Sequence, residues 1–243
     1  MKRLNLILVA GIGLLVLAAC ASNPGMKPVG GPNPSLDPRR EIDERLAGSK
    51  IPRILFVGNS YSFGMPAAFA KFAAAQRKKV RTGHSTQGGW SLAQHAAHEP
   101  TLRKIRSGKW DIVVLQEFSL LPAMPRRQRD SAMFPAVRLL AEEARKAGAI
   151  PVLFQTWGRR DGDKGNARFF PQDDFFKMNR RLREGYAAAS TAAGGIFVVP
   201  AGDAWEAEMS AGTGLRLFQD DGSHPSPAGD ELNAKTFYHT LFR

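Results

Sequence analysis

Cysteine is almost absent from this chain: Cys20 is the only one among 243 residues. An internal disulfide is therefore excluded, and a domain folded beyond residue 20 can hold neither a thiol nucleophile nor a cysteine-ligated metal. Internal repeats are also missing, as is any nucleic-acid-binding motif with interleaved aromatics. The one extended apolar run, Leu6 to Ala19, falls short of the roughly 20 apolar residues that span a bilayer comfortably. What remains is 43% hydrophobic and 23% charged, the balance of a globular protein with one substantial core.

The first twenty residues differ from the rest. Lys2 and Arg3 precede the apolar run, which ends in Leu17-Ala18-Ala19-Cys20, the layout of an export signal. Small residues directly before a cysteine resemble the lipobox of bacterial lipoproteins, which implies cleavage ahead of Cys20 and acylation of that residue. Residues 1–20 are then a lipoprotein signal peptide. A flexible tether is expected over 21–49, because Pro, Gly, Ser and Asn dominate up to about Leu36, and a folded domain over 50–243. The expected location is the cell envelope on the periplasmic side; Ala21 after the cysteine favours the outer over the inner membrane. A formal charge of +12 suits an anionic neighbour, phospholipid head groups or acidic glycans, and it also serves solubility.

Past Lys50, short apolar runs alternate with helical patterns. Ile54–Val57, Ile112–Leu115, Ile150–Phe154 and Ile196–Val199 are unbroken, as strands buried on both faces of a parallel sheet should be. Lys79–Ser85 is a weaker strand, expected at an edge because Val80 is its only strong apolar residue. Helices are expected at about Pro66–Arg77, Ser91–Ser107, Asp130–Ala147, Asp173–Ala193 and Pro227–Leu241. The regular alternation predicts a three-layer α/β/α sandwich. Gly158–Pro171, long and polar, is expected to form a loop over the site.

In such sheets ligands bind beyond the carboxyl ends of the strands. Gly58-Asn59-Ser60-Tyr61-Ser62, Gln116-Glu117-Phe118-Ser119 and Gln155-Thr156-Trp157-Gly158 follow three of the runs, and Asp220-Asp221-Gly222-Ser223-His224-Pro225 leads into the last helix. A serine hydroxyl attacks only when a histidine takes its proton, and that histidine needs a carboxylate to hold its tautomer. Asp221 and His224 supply both from one turn, with Gly222 permitting the tight path between them. Pro225 restricts His224 to extended backbone, and Ser226-Pro227 read as N-cap and first residue of a helix. Asp220 competes with Asp221, but a spacing of four fits less well.

The first of these segments resembles a variant of the Gly-Asp-Ser block of the SGNH (GDSL-like) hydrolase family, and Asp221-Gly222-Ser223-His224 resembles the family's closing Asp-x-x-His. Thr86-Gln87-Gly88-Gly89-Trp90-Ser91 resembles its second block, in which a glycine N–H helps form the oxyanion hole; Gly89 is the preferred match and Gly88 the next. The resemblance covers roughly Ile51 to the C-terminus. It implies a flavodoxin-like five-stranded parallel sheet and hydrolysis of esters or thioesters without a cofactor. Two departures stand out: Asn59 replaces aspartate, and Gln116-Glu117 stand where the family has Gly-x-Asn-Asp. The expected oxyanion donors are therefore the N–H groups of Ser60 and Gly89 with the Gln116 amide.

The implied activity is a serine esterase acting on short acyl esters, acetyl groups on a carbohydrate among them. Ser60 is the nucleophile, His224 the base and Asp221 its orienting partner. Trp157, Arg159 and Arg160 are expected to contact substrate, since an aromatic face beside arginines suits a sugar ring or an anion. His84, His95, His98 and His239 are read as structural or surface residues; His95 and His98 lack a third ligand, so no metal site is assigned. The alternatives are a lysophospholipase or thioesterase with the same triad, an acyltransferase, or a non-catalytic glycan-binding protein of the envelope. The expected partners are a small-molecule or polysaccharide ester and a membrane reached through the lipid anchor, with no nucleic acid, and the chain is expected to be a monomer.

Overall fold

The computed structural model describes residues 37–243; the signal, Cys20 and the first part of the tether lie outside them. Five strands form one sheet: β1 (Arg53–Gly58), β2 (Arg81–Thr86), β3 (Ile112–Leu115), β4 (Ile150–Phe154) and β5 (Phe197–Val199). Every pairing is parallel and the order is β2-β1-β3-β4-β5. The helices are α1 (Pro38–Ala47), α2 (Met65–Ala75), α3 (Leu92–Ala96), α4 (Glu99–Arg106), α5 (Arg126–Lys146), α6 (Phe175–Ala192), α7 (Ala201–Ala211) and α8 (Pro227–Leu241).

Successive side chains of a strand point to opposite faces, so each apolar run feeds two cores. Ile54, Phe56, Ile112, Val114, Val152 and Phe154 pack on one face with residues of α1, α2, α7 and α8, including Ile42, Phe69, Trp205 and Phe237. Leu55, Val57, Val113, Leu115 and Leu153 pack on the other with residues of α3 to α6, including Leu92, Ile105, Leu140 and Tyr186. The result is the three-layer α/β/α sandwich with a five-stranded parallel sheet expected from the sequence. β2 is an edge strand, paired only with β1. Its Gly83 has a packing reason: a β-carbon there would meet the Trp110 ring at 2.3 Å.

Three elements depart from the sequence expectation. Folded structure begins before Lys50, because Pro38–Ala47 is a helix inside the stretch read as tether. Asp37 caps it by accepting from the Arg39 N–H, and Ile42 and Leu46, four apart, are buried in the sheet's core. The helix expected over Ser91–Ser107 is two helices, α3 and α4, since Pro100 has no N–H to donate to the carbonyl of Ala96 four residues earlier. Ala201–Ala211 forms α7, in whose first turn Asp203 lies.

The chain leaves β1 towards β2 on one side while β3 lies on the other. This is a topological switch point, and the crevice it opens lies beyond the carboxyl ends of β1 and β3. Ser60 follows β1 and Gln116 follows β3.

Candidate active site

Asn59 lies in extended backbone, and its side chain accepts from the Tyr61 N–H. This cap starts a single 3-10 turn, Ser60–Ser62, that lifts Ser60 off the end of β1. At the far end of the chain, Phe218 and Pro225 bridge, and the Gln219 N–H donates to the His224 carbonyl at 2.9 Å. Gly222, at φ 66°, closes the loop between them, and Ser226 caps α8 through the N–H groups of Ala228 and Gly229. Both neighbours of His224 are thus anchored, as the proline and the cap led one to expect.

These two segments meet. Ser60 Oγ lies 2.9 Å from His224 Nε2, and His224 Nδ1 hydrogen-bonds Asp221 Oδ2. A carboxylate only accepts, so Nδ1 carries the proton and Nε2 presents a lone pair to the serine hydroxyl. Asp221 Oδ1 accepts from the N–H groups of Ser223, at 2.9 Å, and His224, at 3.0 Å. Partial burial works to raise the Asp221 pKa, but these three hydrogen bonds outweigh it and hold the group down at about 2. The pair is open to solvent, with 37% of the His224 side chain and 46% of the Asp221 side chain exposed. Asp220 offers its carbonyl, not its carboxylate, to this region, accepting from Arg160 Nη2 at 3.3 Å.

The N–H groups of Ser60, Gly88 and Gly89 donate to no acceptor among the described residues. Gly89, at φ 73°, takes a backbone path that a side chain would strain. Gln116 departs from the expectation: both polar atoms of its amide bond inside the protein, and the side chain is buried. Its Oε1 accepts from the Asn59 N–H at 2.9 Å and from the Ser62 hydroxyl at 3.0 Å, and its Nε2 donates to the Glu117 carbonyl. The side chain is fully buried and fills the place where a β-carbon on residue 58 would be, 2.4 Å from Oε1. Gln116 therefore fastens the Ser60–Ser62 turn to β3. The sheet register carries the signal that could have revealed this: Val57 pairs with Leu115, which sets Gly58 beside Gln116.

Glu117 extends the same clamp to the glycine loop. Its Oε1 accepts from the N–H groups of Leu92, at 3.0 Å, and Phe118, at 2.6 Å. Asn59 Nδ2 ties in as well, donating to the Trp90 carbonyl at 2.9 Å. Burial pushes the Glu117 pKa up to about 7 against the pull of the two N–H groups, and its Oε2 has no hydrogen-bond partner among the described residues. Three rim loops are thus joined by Asn59, Gln116 and Glu117.

Trp157 is a second correction. It is fully buried, stacked between Tyr61, with ring centroids 4.8 Å apart, and Trp205, at 4.1 Å. Its indole N–H donates to the Ser223 carbonyl at 3.1 Å, and the Tyr61 hydroxyl meets Ser223 Oγ at 2.6 Å. The ring is too enclosed to face a sugar; it ties the His224 loop to the Ser60–Ser62 turn. Arg159 is half-buried, with Nη2 3.3 Å from Ser119 Oγ. Arg160 is exposed, and its N–H donates to the Gly222 carbonyl at 2.8 Å, bracing the Asp221 turn. Phe63, which the sequence reading passed over, is 56% exposed and would lie 3.9 Å from a β-carbon on Gly88. His95 is buried, and its Nε2 donates to the Gly58 carbonyl at 2.8 Å.

No protein-family model and no curated protein matches the sequence. Solved structures match the fold. A DUF4886 family protein from Bacteroides uniformis superposes with a TM-score of 0.66 at 17% identity, over 79% of this chain and 83% of that one. A variant of Axe2, an acetyl xylan esterase from Geobacillus stearothermophilus, gives 0.58 at 15% identity, over 80% and 97%. The lipase/acylhydrolase from Enterococcus faecalis gives 0.55 at 17% identity, over 78% and 94%.

Proposed function

We propose that this chain is a serine esterase that removes short acyl groups, acetyl foremost, from a carbohydrate ester. The observation that carries the proposal is the relay from Ser60 Oγ through His224 Nε2 and Nδ1 to Asp221 Oδ2. Ser60 attacks the ester carbonyl while His224 Nε2 takes its proton, and Asp221 stabilises the imidazolium that forms. The oxygen of the tetrahedral intermediate is received by the unclaimed N–H groups of Ser60 and Gly89. Collapse expels the alcohol, which takes its proton from His224. Water then enters and attacks the acyl carbonyl while His224 takes its proton. Collapse breaks the bond to Ser60 Oγ, which receives that proton back from His224 as the acid leaves.

A short acyl group is supported by the openness of the rim, where both members of the His224–Asp221 pair are solvent-exposed. A carbohydrate is supported by the exposed Phe63 ring beside the Gly88-Gly89 loop and by the likeness to an acetyl xylan esterase. Export and acylation of Cys20 belong to the same proposal and would hold the enzyme in the cell envelope.

The test is p-nitrophenyl acetate hydrolysis by the wild type, Ser60→Ala and His224→Ala. Loss of turnover in both variants is expected, with rates falling as the acyl chain is lengthened. A preference for long chains would move the reading to a lipid or thioester substrate. A wild type no faster than its variants would leave a binding protein.

A further inference from the structure

The pole of the domain remote from Ser60 carries a surface of its own. β1 and β2 start there, at Arg53 and Arg81, and α2 runs down from the nucleophile's turn to end there at Ala75. A hollow of about 610 Å³ has Ile51, Ala70, Ala74 and Val80 as its apolar floor, and Arg77, Lys78, Lys79 and Arg81 around it. An adjoining hollow of about 520 Å³ shares Ile51 and is lined by Arg45, Lys50 and Arg53 together with Glu44 and Asp111.

The acids on this pole are ion-paired, Asp43 with Arg39, Glu44 with Arg40 and Asp111 with Arg53, and the last pair takes Arg53 out of the free cations. Lys50, Arg77, Lys79 and Arg81 are exposed and form no ion pair among the described residues. Ile51 stands among them, 38% exposed. Arg77 sits at φ 58°, left-handed backbone where glycine would be unstrained, so the turn carries a cation at a conformational cost.

Clustered cations repel one another, and exposed apolar surface is unfavourable in water. An anionic head group layer over hydrocarbon relieves both at once, by charge attraction around the rim and burial of the floor. We propose that this pole is a docking surface for an anionic lipid bilayer.

Two features agree with it. The chain enters the domain at the same pole, where the Arg39 guanidinium bonds the Thr240 and Leu241 carbonyls at the end of α8. Orientation also follows, because β1 spans six residues, about 20 Å at roughly 3.3 Å per residue, and Ser60 lies at its far end. The rim faces away from the docked bilayer. This consequence, unlike the docking itself, rests on the esterase reading: the ester arrives from the aqueous side, on a soluble or wall-borne molecule, and is not a lipid of that membrane.

The test uses the full chain, sedimented with vesicles of phosphatidylcholine alone and of phosphatidylcholine with phosphatidylglycerol. The N-terminal apolar segment is common to all samples, so binding to neutral vesicles is the baseline. Wild type is expected to partition more strongly onto the anionic vesicles, and high salt should remove the increment. Arg77→Glu/Lys79→Glu/Arg81→Glu should cut the increment at least tenfold, since each basic residue near an anionic surface contributes about fivefold. Arg77→Gly/Lys79→Gln, which relieves the strained backbone, should cut it about twenty-five-fold on the same per-residue figure and guards against misfolding of the first variant.

Equal partition onto both vesicle types overturns the proposal. So does an increment that neither variant reduces, because the contact then lies elsewhere. An acidic polysaccharide that binds while anionic vesicles do not overturns it in favour of a glycan partner. Turnover of p-nitrophenyl acetate is read in parallel and should be unchanged in both variants. Vesicle binding without any turnover would sink the esterase and leave the docking surface standing.

Discussion

Replacing Asp221 separates charge from tautomer at this site. Asp221 Oδ1 accepts from the Ser223 and His224 N–H groups while Oδ2 accepts from the His224 ring. In Asp221→Asn the two backbone donors demand an oxygen, so the amide nitrogen must turn towards His224 Nδ1. A donor there selects the tautomer with its proton on Nε2, which cannot accept from Ser60. Asp221→Ala removes the charge and imposes no tautomer. Unit charges 4 Å apart interact by about 1 kcal/mol in water and about 4 kcal/mol at an effective dielectric of about 20. The 46% exposure of Asp221 places it between these limits. Each 1.36 kcal/mol is about tenfold in rate, so kcat/KM of Asp221→Ala should fall about one hundredfold, short of the roughly 10⁴-fold loss at a buried triad aspartate. Asp221→Asn should be at least a further severalfold slower, with KM little changed in either. Initial rates on p-nitrophenyl acetate near neutral pH decide it. An asparagine variant faster than the alanine variant would refute the tautomer argument, and a loss of 10⁴ in Ala would refute the solvent-screened pair.

Gln116→Ala should act mainly on stability, by about 1–3 kcal/mol, because it strands the Asn59 N–H and Ser62 hydroxyl. A variant of unchanged melting temperature that loses several hundredfold in kcat would restore Gln116 as an oxyanion donor. Trp157→Ala empties a fully buried site and should cost about 3–5 kcal/mol in denaturant unfolding, with kcat falling more than KM rises; an increase in KM alone would return the ring to substrate binding. Asp230 has a buried Oδ1 without a partner among the described residues, and burial raises its pKa from 3.8 to about 6. The folded state therefore holds a proton that the unfolded state has released between those values, and stability falls as pH rises through this window and stays lower above it. Asp230→Asn should raise the melting temperature above pH 6 and leave it unchanged below pH 3.8; an equal gain at both would show that the carboxylate's ionisation is not the cause.

The sheet was legible because parallel strands, covered on both faces, must be apolar throughout, and Ile112–Leu115 and Ile150–Phe154 are. The meeting of Ser60, His224 and Asp221 was legible because they sit where strand ends, caps and prolines leave little conformational choice. α1 was not, although Asp37-Pro38 is a start signal, because only Ile42 and Leu46 mark its buried face among charged neighbours. The roles of Gln116 and Trp157 depend on what stands opposite them: a glycine across the sheet that admits the Gln116 side chain, and two aromatic rings from Tyr61 and Trp205 that close around Trp157. Residue type alone states that an amide can donate and an indole can stack. Which partner each finds is decided by long-range register and packing.

The central claim is that Ser60 is a nucleophile activated by His224. A fluorophosphonate probe reports this directly, since it phosphonylates a serine only when a neighbouring base takes the proton. Mass spectrometry of the treated chain should find one adduct, on Ser60, lost in Ser60→Ala and strongly slowed in His224→Ala. An unlabelled wild type, or an adduct on another serine, would contradict the account.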